Sequence, residues 1–295
     1  MYDALTSSPG MNREQNANTN ASNPWHTLIE EYSKLDLTQE MDRLPALSGI
    51  ASPRGGDSYL AGIWTDQLPG SLCWTTSPSQ HFPVRRPHGY RAPSFSWASV
   101  EGPIKYCRAL SAKRQEWDII TPEQTSYTAA TVVSSASTVE GLDPCGRVKA
   151  GHVEIEGWVG TAAVVQVAQE KYRSVCTLQQ ADRLQKFYLD IPLSLCRSEP
   201  AEVRTRDDVL LLLLECEKIS PSTFYKHGYR VMTLVLKRSA EYPGVYERVG
   251  LVFPADDLTV YFSNFQSGGA DIGDGSSMFD DAPGWFNEKK TVRIV

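Results

Sequence analysis

HVEIEGWVGTAAVVQV, residues 152–167, begins with His152, Glu154 and Glu156 alternating with Val153 and Ile155. A period of two puts the polar side chains on one face of an extended chain and the apolar ones on the other, whereas a helix would mix them. The stretch therefore reads as a half-buried strand, with one face to solvent and one to a core. Segments of similar character follow at residues 209–216, 230–237, 246–253, 258–262 and 291–295, separated by turn-forming EYPG and PADD and by a Gly/Asp-rich loop. The longest apolar run among them, VLLLLLEC at 209–216, is far shorter than the roughly 18–20 residues of a membrane span. With no regular helices between the strands, a doubly wound α/β sheet is excluded. The expected fold is mainly β (α+β), a large, mostly antiparallel barrel or sandwich with one or two helices at its N-terminal edge.

Upstream the pattern changes. Residues 1–23 are rich in Asn, Ser and Thr with few large apolar side chains, and the expectation is a disordered tail. Residues 24–295 then form a single β-rich domain whose helical edge is 24–51. Trp25, Leu28, Ile29, Tyr32 and Leu35 recur at helical spacing behind Pro24 and a capping Asn23. Met41, Leu44, Leu47 and Ile50 mark a second short helix that Pro45 bends or restarts, with Asp42 and Arg43 as a charged clamp beside it. Residues 59–64 (YLAGIW) and 71–74 (SLCW) read as short strands. In SFSWAS, Ser94, Ser96 and Ala98 would share one face of a strand, and Phe95, Trp97 and Ser99 the other.

Composition narrows the function. An apolar fraction of 41% and a charged fraction of 22% are those of a globular protein, and a net charge of −6 is the wrong footprint for nucleic acid. The polar N-terminal sequence has neither the cationic start nor the apolar core of a signal peptide, which points to a cytoplasmic or nuclear protein without membrane association. The six cysteines stand at least twenty positions apart, so no metal-binding pair is drawn locally and reduced, mostly buried thiols are expected. No cofactor is expected.

No sharp catalytic motif is present. Neither Ser94 nor Ser96 has the glycines of a nucleophile elbow, and with Phe95 and Trp97 buried beside them their hydroxyls should be idle, so that Ser96→Ala changes folding little. Asp271, Asp274, Asp280 and Asp281 lack calcium-loop spacing, since Gly273 and Gly275 fall where ligands should be. The histidines His26, His81, His152 and His227 form no i,i+4 pair. The densest basic cluster, Arg85, Arg86, His88 and Arg91, is the candidate partner-binding site, set against the plainer reading of a solvated loop.

Residues 25–51, followed by YLAGIWTDQLPGSLCW and YRAPSFSWASVEGPI, resemble the region downstream of the HET domain in fungal heterokaryon incompatibility proteins. The likeness runs through Trp25, Tyr32, Ser33, Leu37, Thr38, Asp42, Leu44, Pro45, Ala46, Gly49 and Ala51, then residues 59–62, Trp64 and residues 93–98. It is strong over residues 25–104, and YERVGLVF and KKTVRIV resemble the family's closing strands. HET domains carry Leu-Ser-Tyr-x-Trp-Gly and Trp-Ile-Asp-x-x-Cys-Ile-Asn-Gln segments, and neither occurs in these 295 residues. The resemblance implies a non-enzymatic regulatory or protein-interaction module linked to nonself recognition, with a protein partner such as a HET domain on another chain. The alternatives are a small-molecule-binding or hydrolytic β-barrel, and an inactive truncated remnant.

Overall fold

A computed structural model describes residues 23–107, 126–170, 173–180, 183–191, 204, 206–219, 228–252 and 286–295. The tail at 1–22, the strand expected at 258–262, His227 and the Gly/Asp-rich loop at 268–284 lie outside the described residues. Helix α1 spans Pro24–Tyr32. Proline occupies the first turn, where its missing N–H costs nothing, and the Asn23 side chain accepts from the Trp25 N–H at 3.0 Å. Asn23 thus belongs to the fold rather than to a tail. Trp25 and Ile29 are buried, but Leu35 lies past the helix end and is exposed. A 3₁₀ turn at Glu40–Asp42 leads to α2, Pro45–Ala51, which Pro45 restarts. Leu44 and Leu47 are buried, while Ile50 faces solvent because two turns present only a narrow apolar stripe.

YLAGIW is a hairpin, not one strand. Strands β1 (Tyr59–Leu60) and β2 (Ile63–Trp64) pair antiparallel across Ala61 and Gly62, both at positive φ. A side chain at Gly62 would also collide with Trp97 Nε1, 2.7 Å from where its Cβ would stand. Residues Gly70–Leu72 form a 3₁₀ turn, so the strand expected from 71 begins only at Trp74: β3 (Trp74–Thr76) pairs antiparallel with β4 (Ile104–Tyr106). The SFSWAS segment is not a strand either. Ser96 accepts from the Ala98 N–H and caps a 3₁₀ turn at Trp97–Ser99. A side chain–backbone bond two residues long replaces the ladder bond a strand would need.

The rest is β. Strands β5 (Ser126–Thr128), β6 (Ala130–Val139), β7 (Val148–Glu170), β8 (Arg173–Gln180), β9 (Arg183–Leu189), β10 (Asp208–Ile219), β11 (Gly228–Arg238), β12 (Tyr246–Val252) and β13 (Glu288–Ile294) form one nine-stranded sheet. Pairing runs from β7 through β8, β9, β12, β11 and β10, and the β10–β7 ladder returns it to β7 as a closed ring. All these pairings are antiparallel; the exception in the sheet is one parallel bridge, Tyr246 to Ile294. The N-terminal half of β7 pairs instead with β6 on one side and β13 on the other.

Two cores follow from this topology. Ala162, Val164, Cys176, Leu178, Phe187, Leu189, Val209, Leu211 and Leu213 fill the ring. On the outer face of β10 and β11, Leu210, Leu212, Leu214, Met232, Leu234 and Leu236 meet Val153, Ile155, Val292 and the N-terminal layer. Strand β10 is therefore apolar on both faces, which is why its sequence does not alternate. Along β7 the parity is kept: odd positions 153, 155 and 159 enter the outer core and even positions 162 and 164 the ring. Gly157, between Ile155 and Val159, gives room for close packing: an added Cβ would meet Leu212 Cδ1 at 3.0 Å and Ala130 Cβ at 3.2 Å.

Candidate functional site

Phe95 and Trp97 are buried, and the hydroxyls beside them are engaged. Ser96 Oγ donates to the Ala61 carbonyl at 2.5 Å while accepting from Ala98 N–H at 3.0 Å. Ser94 Oγ donates to the Val295 carbonyl and accepts from the Arg248 N–H at 2.8 Å. Trp97 and Trp25 both donate their indole N–H to the Gly62 carbonyl, at 2.9 and 3.0 Å. These groups join the hairpin, α1 and the C-terminal strand; none is presented to a substrate.

The four basic candidates separate into two kinds. Arg91 is buried, so it is no part of a solvated loop: its Nε donates to the Ala98 carbonyl at 2.7 Å, Nη2 to the Val100 carbonyl at 2.7 Å, and Nη1 to the Glu40 carbonyl at 2.9 Å and to Glu101. Burial pulls its pKa down, and Glu101 opposes the shift. Glu101 also receives buried Arg43, whose Nη2 reaches the Leu35 carbonyl at 3.1 Å. Asp42 meanwhile pairs with Arg147 at 2.8 Å, so the expected clamp is two clamps with different partners.

Arg85 and His88 stay at the surface, gathered on one carboxylate. Glu40 takes the Arg85 guanidinium, the His88 backbone N–H at 3.0 Å and the His88 ring at 3.0 Å. These bonds, Arg85 first, hold the Glu40 carboxyl at about 2, below its ordinary 4.5. Arg86 donates to the Ser99 carbonyl and hydroxyl at 3.2 and 3.1 Å. The His88 side chain is 87% exposed. Tyr90, 54% exposed, neighbours Tyr242, 58% exposed; partial burial and then Tyr242 push the Tyr90 phenol up to about 12. The result is a hydrogen-bonded polar rim of Glu40, Arg85 and His88, followed two positions on by exposed Tyr90.

Two further clusters escaped the sequence reading. His26 Nε2 lies 2.9 Å from Ser71 Oγ, and its ring stacks on Tyr106 at 3.7 Å and 8°. A serine–imidazole pair is the first requirement of nucleophilic catalysis, but Ser71 is 1% exposed and an attacking hydroxyl must reach substrate. Farther in, Arg248 lies over the Trp74 ring at 3.6 Å, pairs with Asp190 at 2.8 Å and donates to the Leu72 and Trp74 carbonyls. This fully buried cation ties β12 to the N-terminal layer. No local signal announces either cluster, because their members stand 45 to 176 positions apart.

Burial raises the Cys73 thiol well above its ordinary value, raises Cys145, and takes Cys176 to about 12, so these thiols are protonated and unreactive at neutral pH. Among the described residues no three His, Cys, Asp or Glu side chains converge as metal ligands, and no helix is long and apolar enough to cross a membrane. No family model, curated protein or solved structure matches the chain.

Proposed function

We propose that the chain is a non-enzymatic regulatory and protein-interaction module of the heterokaryon-incompatibility type, docking a protein partner through the rim around Glu40. The observation that carries this reading is the grouping of Arg85 and His88 on Glu40, with half-exposed Tyr90 two positions after His88 in the chain and Tyr242 near Tyr90. Arginine and tyrosine are the side chains most enriched at the energetic centres of interfaces, and a guanidinium already held in place loses less entropy on binding. Buried Arg91 supports this rim from below without meeting the partner. The resemblance over residues 25–104 nominates a HET domain on another chain as the partner.

The test is titration of a separately expressed HET domain into the full chain by calorimetry. Binding that weakens by about a hundredfold in Arg85→Glu/Tyr90→Ala, matching loss of an interface anchor, supports the reading. Binding that ignores both changes, or none at all, overturns it. Among the described residues the serine–imidazole pair open to a hydrolytic barrel is Ser71 with His26, and ester turnover abolished by Ser71→Ala would establish that reading instead.

A further inference from the structure

We propose that β6 is an interaction edge through which two copies of this chain pair about a two-fold axis. Strand β6 pairs with β7 alone, so its other edge presents backbone N–H and C=O groups without a strand partner among the described residues. Such an edge is a template for strand addition, and proteins normally blunt it with charge, proline or shortness. Here none of these is found: the ten residues ATVVSSASTV contain no charged side chain and no proline. Two irregularities interrupt the ladder, between Val132 and Ser134 and between Thr138 and Val139; the first leaves Val133 exposed, and the stretch from Ser134 to Thr138 between them pairs without a break.

The occupant follows from symmetry and charge. In an antiparallel pairing about a two-fold axis each residue near the axis faces its own copy, so any charge there would meet its like. The centre of β6 is Ser134, Ser135 and Ala136, small and neutral; the Ser134 hydroxyl donates to Glu154 within one copy at 2.6 Å, and the Ser135 hydroxyl can bond across the axis. The nearby charges on β7 are already neutralised within one copy: Glu154 by Arg293 and Glu156 by Lys289. At the tip of the β6–β7 hairpin Leu142 is fully exposed, and the two-fold pairing carries it past the end of its own strand to the start of the partner's β6. Val133 and Leu142 then gain apolar cover that one copy does not provide. This edge shares no residue with the Glu40 rim, so either can fail alone.

The experiment is sedimentation velocity on the full chain from about 1 μM to several hundred μM, paired with hydrogen exchange at both ends of that range. The expected result is a monomer–dimer transition accompanied by slowed exchange of β6 amides. Val133→Lys and Ala136→Lys, both at exposed positions, should raise the dimer dissociation constant at least about tenfold while leaving the unfolding midpoint in place. A monomer at every concentration overturns the proposal. So does a dimer whose β6 amides are unchanged or which ignores both substitutions. Protection of β6 that appears only on adding a different polypeptide assigns the edge to another partner and overturns self-pairing.

Discussion

The two cores are held together differently. Inside the ring, the described buried apolar side chains are aliphatic apart from Cys176, Phe187 and Phe286, and strand ladders pair the backbone around them. In the N-terminal layer the backbone turns every few residues, leaving carbonyls that no ladder reaches. Donors on side chains fill the gap: Trp25 and Trp97 on Gly62, Trp74 on Phe95, Arg91 on Ala98 and Val100, Arg248 on Leu72 and Trp74. Where secondary structure is short, tryptophan and arginine supply the hydrogen bonds that strands would otherwise make, and bury apolar surface at the same time.

The sharpest way to break this contrast is at Arg248. Arg248→Met keeps most of the volume but leaves Asp190 buried without its cation, and should cost about 3–5 kcal/mol in denaturant unfolding. In the ring the same scale is reached only by opening a void: Leu211→Ala should cost roughly 2–5 kcal/mol, with Leu211→Met nearly neutral. A met-for-arginine loss no larger than the Leu211→Met change would erase the distinction. Ser96→Ala removes hardly any volume, yet strands the Ala61 carbonyl and the Ala98 N–H, so about 1–2 kcal/mol should be lost, more than its small size suggests.

The smallest effect is in pH. Because Glu40 is depressed in the folded chain, its contribution is complete above its ordinary value of 4.5 and disappears as pH falls through about 2. Unfolding midpoints measured across that window should fall less steeply in Glu40→Gln than in the parent. An unchanged slope would detach Glu40 from the stability of the layer.

How much was legible depended on the reach of the bonds. The Asn23 cap, Pro24, Pro45 and the alternation at residues 152–156 are local, and each forms as the sequence implies. SFSWAS misled because small–large alternation also arises when serines bond their own backbone, and in YLAGIW the Ala61–Gly62 turn was hidden inside an apolar run. Arg91 could not be separated from Arg85 and His88, since the choice is made by Glu40, 45 to 51 positions away. Ser71 and His26 likewise meet only through the packing of α1 on β4.

Strand β7 has one more implication. Its 23 residues are in register with four neighbours at once, β6 and β13 along one half, β8 and β10 along the other, with β13 overlapping the junction. A slip of one position anywhere along it would turn Val153 and Val164 outward together and draw Glu154 and Val165 inward, so an error made while either half zips up is rejected by both.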